Sequence, residues 1–253
     1  MLEGILISLG FSISLNLLMF VPAFRLQTDK LTDISYALSF IFLAGTFLLI
    51  SSLELSKIIL FLMILAWGLR LGAYLLIRIR KMKRDPRFDG KRENFFKFMK
   101  FWLVQGLTVW LIMMSSTLYF NKTTSINYLS YWGLGIFSIG LIIESVADYQ
   151  KYTFKLKNKS KWIESGLWHY SRHPNYFGEI LVWVGVYVFT SSSLNLVESI
   201  IALISPAYII ITLLFISGLP PLEKRYDKKY GKLKAYRDYK KRTSVLIPWF
   251  TKK

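Results

Sequence analysis

Seven windows of this chain are long, apolar and nearly free of charge. They run approximately over 3–24, 31–53, 57–78, 101–120, 127–147, 175–195 and 198–219. A bilayer core of about 30 Å is crossed by about 20 apolar residues in a helix. The pattern predicts seven transmembrane helices and an all-α, multi-pass membrane protein. The first window resembles a secretory signal, but its apolar run is too long and no basic residues precede it. It reads as a retained span. No internal repeat, low-complexity tract or soluble domain interrupts the pattern. A single membrane domain over 1–253 is expected, with a basic tail from 223.

The polar stretches between the windows differ sharply in charge. The 78–100 segment holds ten Lys and Arg, the 148–173 segment six, and the tail from Lys224 twelve. Arg25 and Lys30 add two more between the first two windows, whereas the remaining loops hold only Lys57 and Lys122. Basic loops favour the cytoplasmic side. Seven crossings place every rich segment on that side, with the tail cytosolic and a bacterial inner membrane as the expected location. Within 78–100, "ENFFKFMKFW" mixes aromatics and lysines and suggests a short interfacial helix.

Composition sharpens this picture. Hydrophobic residues make up 53% of the 253 and charged residues 19%, yet the formal net charge is +18. A soluble domain is usually less apolar and more charged. The positive charge is concentrated in loops, with Arg70 the exception inside a span, which points to membrane lipids and not nucleic acid as partner. With no cysteine, disulfides, thiolate metal sites and cysteine nucleophiles are excluded.

Polar residues also fall where a membrane makes them costly. Asp33 and Tyr36 begin the second span, and Arg70 and Tyr74 share a face of the third. Gln105 lies in the fourth; Glu144 and Asp148 close the fifth; Asn175, Glu179 and Trp183 share a face of the sixth. Arg70 also suits a purely structural pairing with Asp33.

The densest cluster is "SGLWHYSRHPNYFGEILVWVG" at 165–185. His169 and His173 are four apart, as in a helical metal site. Pro174 disfavours helix immediately before it, which separates the two imidazoles, so no metal site is expected. Ser171 lies near both histidines but sits in no nucleophile elbow. An anion site fits better. Pro174 suits a helix start, whose free amides favour anions, with Arg172 and His173 beside it. Asn175 and Glu179, one turn apart, suit an amide or a ribose hydroxyl. A plain capped helix with basic flanks for lipid headgroups is the structural alternative.

These residues resemble the steroid 5α-reductase-like family, and more closely its bacterial branch of seven-span DUF1295 proteins. The likeness extends through "DISYALSF", "AWGLRLGAYLLIR", "DPRF", "VQG", "ESVADYQKYTFK" and the tail "SGLPPLEKRYDKKYGKLKAYRDYKKRTSVLIPWF". It implies an NADPH-dependent reductase of a carbon–carbon double bond in a steroid-like or other lipid. By motif match, Asn175 and Glu179 would hold the nicotinamide end. Asp148, Lys155, Tyr170 and Arg172, with His173 on the rim, would contact ribose or phosphates. Glu223, Tyr236 and Tyr239 would close the cofactor from the tail. The steroid reductases place a tyrosine proton donor where Trp67 stands here, and tryptophan offers no acidic proton. Tyr74, Asp33 and Tyr36 are therefore the candidate catalytic groups. Membrane methyltransferases that use S-adenosylmethionine carry a similar "RHPxYxG" segment but a paired Glu–Glu where this chain has Glu223 alone. That activity, or a non-catalytic lipid-binding role, is the alternative.

Overall fold

The computed structural model describes residues 1–81, 85 and 88–250, the side chains of 78–81 excepted. Pro86 and Arg87 of "DPRF", and the basic side chains between 78 and 84, lie outside the described residues. The described chain is helical, and its β-structure is one isolated bridge between Ser171 and Ser244. Six helices are long and apolar enough to cross a membrane. This is an all-α multi-pass membrane protein.

The elements are α1 (Leu2–Arg25), α2 (Lys30–Ile50), α3 (Leu55–Lys81), α4 (Phe95–Ile112), α5 (Met114–Phe120), α6 (Tyr128–Lys157), α7 (Leu167–Tyr170), α8 (Pro174–Ser191), α9 (Leu196–Ala202), α10 (Ile204–Ile211), α11 (Leu219–Tyr230) and α12 (Lys234–Arg242). A π-helical turn, Thr212–Ile216, lies between α10 and α11. Helices stand at all seven expected spans. The sixth, α8, is not among the six long apolar ones, because its first turns carry Asn175 and Glu179. The fourth span breaks at Met113 into α4 and α5, and the Ile112 carbonyl accepts a hydrogen bond from Ser205 there. The last span breaks at Leu203, since Pro206 has no N–H for the carbonyl four residues back.

Two compact units form. One comprises Met1–Tyr131 with Val186–Ser205, the other Trp132–Gly185 with Pro206–Lys253. In the first, α1, α2 and α4 share a buried polar network. Asn16 donates to the Ser12 carbonyl (2.9 Å) and Ser39 Oγ (3.2 Å). Gln105 donates to Asn16 Oδ1 (2.9 Å) and the Thr32 carbonyl (3.2 Å). Ser12 Oγ donates to the Gly106 carbonyl (2.7 Å). In hydrocarbon, where water cannot satisfy such groups, mutual pairing ties helices together. Helices α2 and α3 pack closely at Gly68, where an added Cβ would come within 2.8 Å of Ile41.

The segment before α4 corrects one expectation. Asn94 caps α4 by accepting the Lys97 N–H (3.0 Å), and the helix runs unbroken from Phe95 into the fourth span. The "ENFFKFMKFW" aromatics therefore start that span and form no separate interfacial helix. Phe98 and Trp102 bury against Phe20 and Phe88. Arg92, itself buried, pairs with Asp29 at 2.9 Å and fastens this segment to the start of α2. The two lysines outside the basic clusters are both neutralised. Lys57 pairs with Glu54 at 3.5 Å and Lys122 with Glu198 at 2.6 Å. Little free positive charge is left on those loops, which preserves the charge asymmetry of the sequence.

Candidate functional site

The second unit is organised by a seam of glycines between α6 and α8. A Cβ added at Gly140 would come within 2.6 Å of the Val182 nitrogen, and one at Gly178 within 2.6 Å of the Glu144 nitrogen. Only glycine lets the two backbones approach so closely. That approach brings the start of α8 against the end of α6, where Asn175 Nδ2 donates to Asp148 Oδ1 at 3.2 Å. Glu179 follows one turn later and is half-buried.

The loop before α8 is pinned from several directions. Gly166 has φ +63°, in the left-handed region that glycine tolerates, and the next amide, of Leu167, donates to Gln150 Oε1 (2.9 Å). Trp168 is buried and donates its indole N–H to the Ala147 carbonyl (3.0 Å). Tyr239 of α12 donates its hydroxyl to the Trp168 carbonyl (2.8 Å). His169 belongs to the single turn α7 and His173 precedes α8, so Pro174 does separate the two histidines. The Ser171 hydroxyl accepts the His173 N–H (3.1 Å).

A knot of charge forms where α11 and α12 meet this loop. One carboxylate, Glu223, is held by Arg172 Nη1, by His173 Nε2 at 2.8 Å and by Lys240 Nζ at 3.0 Å. Beside it lies a cavity of about 30 Å³ walled by Trp162, Trp168, Tyr226, Tyr236 and Tyr239, with Lys151, Arg172, His173 and Glu223 as its polar members. Lys151 Nζ sits 4.5 Å over the Trp168 ring, a cation–π contact. Trp162 meets Tyr230 and Tyr236 edge-on, with centroids 5.4 and 5.2 Å away.

Burial lowers the His173 pKa, and the Glu223 hydrogen bond offsets this only in part. The ring is therefore neutral near pH 7. A carboxylate only accepts, so His173 donates Nε2–H and presents Nδ1 as an acceptor. Burial raises Tyr236 and Tyr239, which remain protonated phenols. Among the described residues, three buried atoms within four residues of chain make no hydrogen bond: Arg172 Nε, His173 Nδ1 and Asn175 Oδ1. Each such atom costs about 1–3 kcal/mol. Together they offer one donor and two acceptors, a chemistry that suits a ligand carrying amide and hydroxyl groups.

The predicted cofactor residues thus fall into two groups. Arg172, His173, Glu223, Tyr236 and Tyr239 line one cavity, and Asp148 pairs with Asn175, with Glu179 on the same helix. Tyr170 is exposed, and its carbonyl accepts the Trp249 N–H (3.3 Å). Lys155 gives its ammonium to the Lys161 carbonyl. The anion seat at Arg172 is already filled by the chain's own Glu223. The candidate catalytic groups lie in the first unit. There Tyr36, half-buried, begins an edge-on ladder to Phe40 (5.1 Å) and on to buried Trp67 (4.9 Å). Asp33 lies one turn before Tyr36, and Tyr74 is half-buried on α3. Lys151, Trp162, Trp168 and Lys240 were not singled out by sequence. Lys240 reads as one of twelve basic tail residues, and only the fold shows it bound to a carboxylate.

Residues 19–243 match a family model, DUF1295, described as a protein of unknown function. No curated protein and no solved structure matches the chain. The match runs from the last turns of α1 through α12 and takes in the whole pinned loop, and the chain belongs to the DUF1295 family.

Proposed function

We propose that this protein is an NADPH-dependent membrane reductase of a carbon–carbon double bond in a lipid. The observation that carries the reading is the set of three unpartnered polar atoms at Arg172, His173 and Asn175, beside a cavity rich in aromatics. The resemblance to the steroid 5α-reductase-like family adds support. Asn175 and Glu179, steadied by Asp148, would hold the carboxamide end of the cofactor. Arg172, His173, Lys155 and Tyr170 would face ribose and phosphates, and Glu223, Tyr236 and Tyr239 would close over it. The cavity at about 30 Å³ takes only a water-sized group, so α11 and α12 part to admit a nucleotide. When bound, the cofactor supplies a hydride.

The chain's own residues do the rest. The aromatic wall excludes water. Asn175 orients the cofactor through its free carbonyl oxygen. In an enone-like lipid, hydride addition at the β-carbon would leave charge on the conjugated carbonyl, which Tyr74, Tyr36 or Asp33 would stabilise by a hydrogen bond, and a proton from the protein or water would complete the reduction at the α-carbon. The net +18 charge draws an anionic cofactor to the basic face, which this reading places in the cytosol of a bacterial cell.

Isothermal titration of purified protein with NADPH tests the proposal. Saturable binding is expected, weakened at least tenfold in Asn175→Ala and Glu179→Ala. Absence of binding in the parent protein defeats it, and preferential binding of S-adenosylmethionine replaces it with the methyltransferase reading.

A further inference from the structure

The segment after α12 is tied down by its backbone while its apolar side chains face outward. Arg172 N donates to the Ser244 carbonyl (2.8 Å), Ser171 Oγ to the Leu246 carbonyl (2.7 Å), and Trp249 N to the Tyr170 carbonyl (3.3 Å). Thr243 Oγ1 donates to the His169 carbonyl (3.3 Å). A strap so fastened presents its side chains in fixed positions. Yet Ile247, Trp249 and Phe250 remain 56%, 67% and 81% exposed. In water such a fixed apolar row is costly.

These side chains line an open cleft of about 540 Å³, within the roughly 300–1,000 Å³ typical of small-molecule sites. Four cations line the same cleft: Arg172, Lys240, Lys241 and Arg242. Their charge is only partly answered. Arg172 and Lys240 share Glu223, Lys240 also reaches Asp227 at 2.8 Å, and Arg242 pairs with half-exposed Glu164 at 3.1 Å. Lys241 is exposed and makes no ion pair among the described residues. A cleft lined by both cations and fixed apolar and aromatic side chains complements a molecule with a phosphate at one end and hydrocarbon at the other. The chain's candidate membrane spans would keep such molecules at hand.

We propose that this cleft is a binding site for one anionic phospholipid. The headgroup phosphate lies on Lys241 and Arg242, and the acyl region lies against Ile247, Trp249 and Phe250. The proposal does not depend on the reductase reading, since it uses no catalytic group and no nucleotide.

Native mass spectrometry of the full-length protein, titrated in neutral detergent with phosphatidylglycerol or phosphatidylcholine, tests it. One tightly retained phosphatidylglycerol is expected, with phosphatidylcholine lost. At about fivefold per cation, Lys241→Gln with Arg242→Gln weakens retention about 25-fold. Lys232→Gln with Lys234→Gln, the same charge change outside the cleft, leaves it intact. Trp249→Ser with Phe250→Ser weakens retention several-fold without altering any effect of pyrophosphate on the melting temperature. All six positions are exposed, and the melting temperature checks that each variant is folded. Equal retention of both lipids, or equal losses in the cleft and control variants, overturns the proposal. Complete displacement of phosphatidylglycerol by pyrophosphate also overturns it, since the occupant would then be a soluble phosphate.

Discussion

Two polar clusters lie inside this helical protein, and they are built on opposite terms. In the first unit, Ser12, Asn16, Ser39 and Gln105 bind one another and nearby carbonyls, leaving none of their side-chain atoms buried without a partner. In the second, Arg172, His173 and Asn175 each make a bond to a carboxylate and still keep one buried atom unanswered. A network that satisfies itself gains nothing from a ligand, and its role is to hold helices. A network with donors and acceptors to spare is less stable alone and gains from a polar guest. Composition does not separate the two. Completeness does.

The most severe way to break the contrast is to destroy the seam beneath the second cluster. Gly178→Val drives a branched side chain into the backbone at Glu144. A loss of more than about 3 kcal/mol is expected, read as collapse of the monodisperse peak in size-exclusion chromatography. Next, Gln105→Leu strips Asn16 of a partner in the self-satisfied network. It should cost about 1–2 kcal/mol by thermal unfolding in detergent and leave NADPH affinity unchanged. Asn175→Ala should do the reverse, costing under about 1 kcal/mol of stability while abolishing or sharply weakening nucleotide binding. Should both variants behave alike, the distinction between glue and site fails.

A finer test uses protons. Burial holds the His173 pKa below its ordinary 6.5, so the unfolded chain binds the proton more readily than the folded one. This contribution to stability is complete above pH 6.5 and is lost as pH falls from there through the folded value. Melting temperature measured from pH 8 to pH 5 should therefore decline below pH 6.5, and His173→Gln should flatten that part of the profile. The smallest effect belongs to Glu164→Gln at the exposed pair with Arg242. Under about 0.5 kcal/mol is expected, indistinguishable from the parent in a melting curve.

Much of the fold is legible in the sequence because it rests on local constraints. In hydrocarbon every backbone group must be paired within its own segment. A run of about 20 apolar residues thus defines a helix without reference to its neighbours. That is why all seven windows recur as helices and why Pro174 divides His169 from His173. Breaks at Met113 and Leu203 are harder to read. Pro206 marks the second, but the first is answered by Ser205, some ninety residues away. The interfacial helix expected at 93–102 failed because its aromatics find Phe20 and Phe88 to bury against, again a distant partner.

The site divides the same way. The sequence alone determined that polar groups crowd the start of α8, since their spacing on one helix is fixed by its pitch. It also determined the family and the charge asymmetry, which are properties of the chain itself. Only the tertiary structure decided what those groups do to one another. Glu223 comes from some fifty residues away to occupy Arg172 and His173, Lys240 joins the same carboxylate from farther still, and Asp148 reaches Asn175 only because two glycine faces let α6 and α8 touch. Charge and hydrogen-bond pairing depend on distances of a few ångströms between remote segments. No period or motif along the chain encodes those distances; packing sets them.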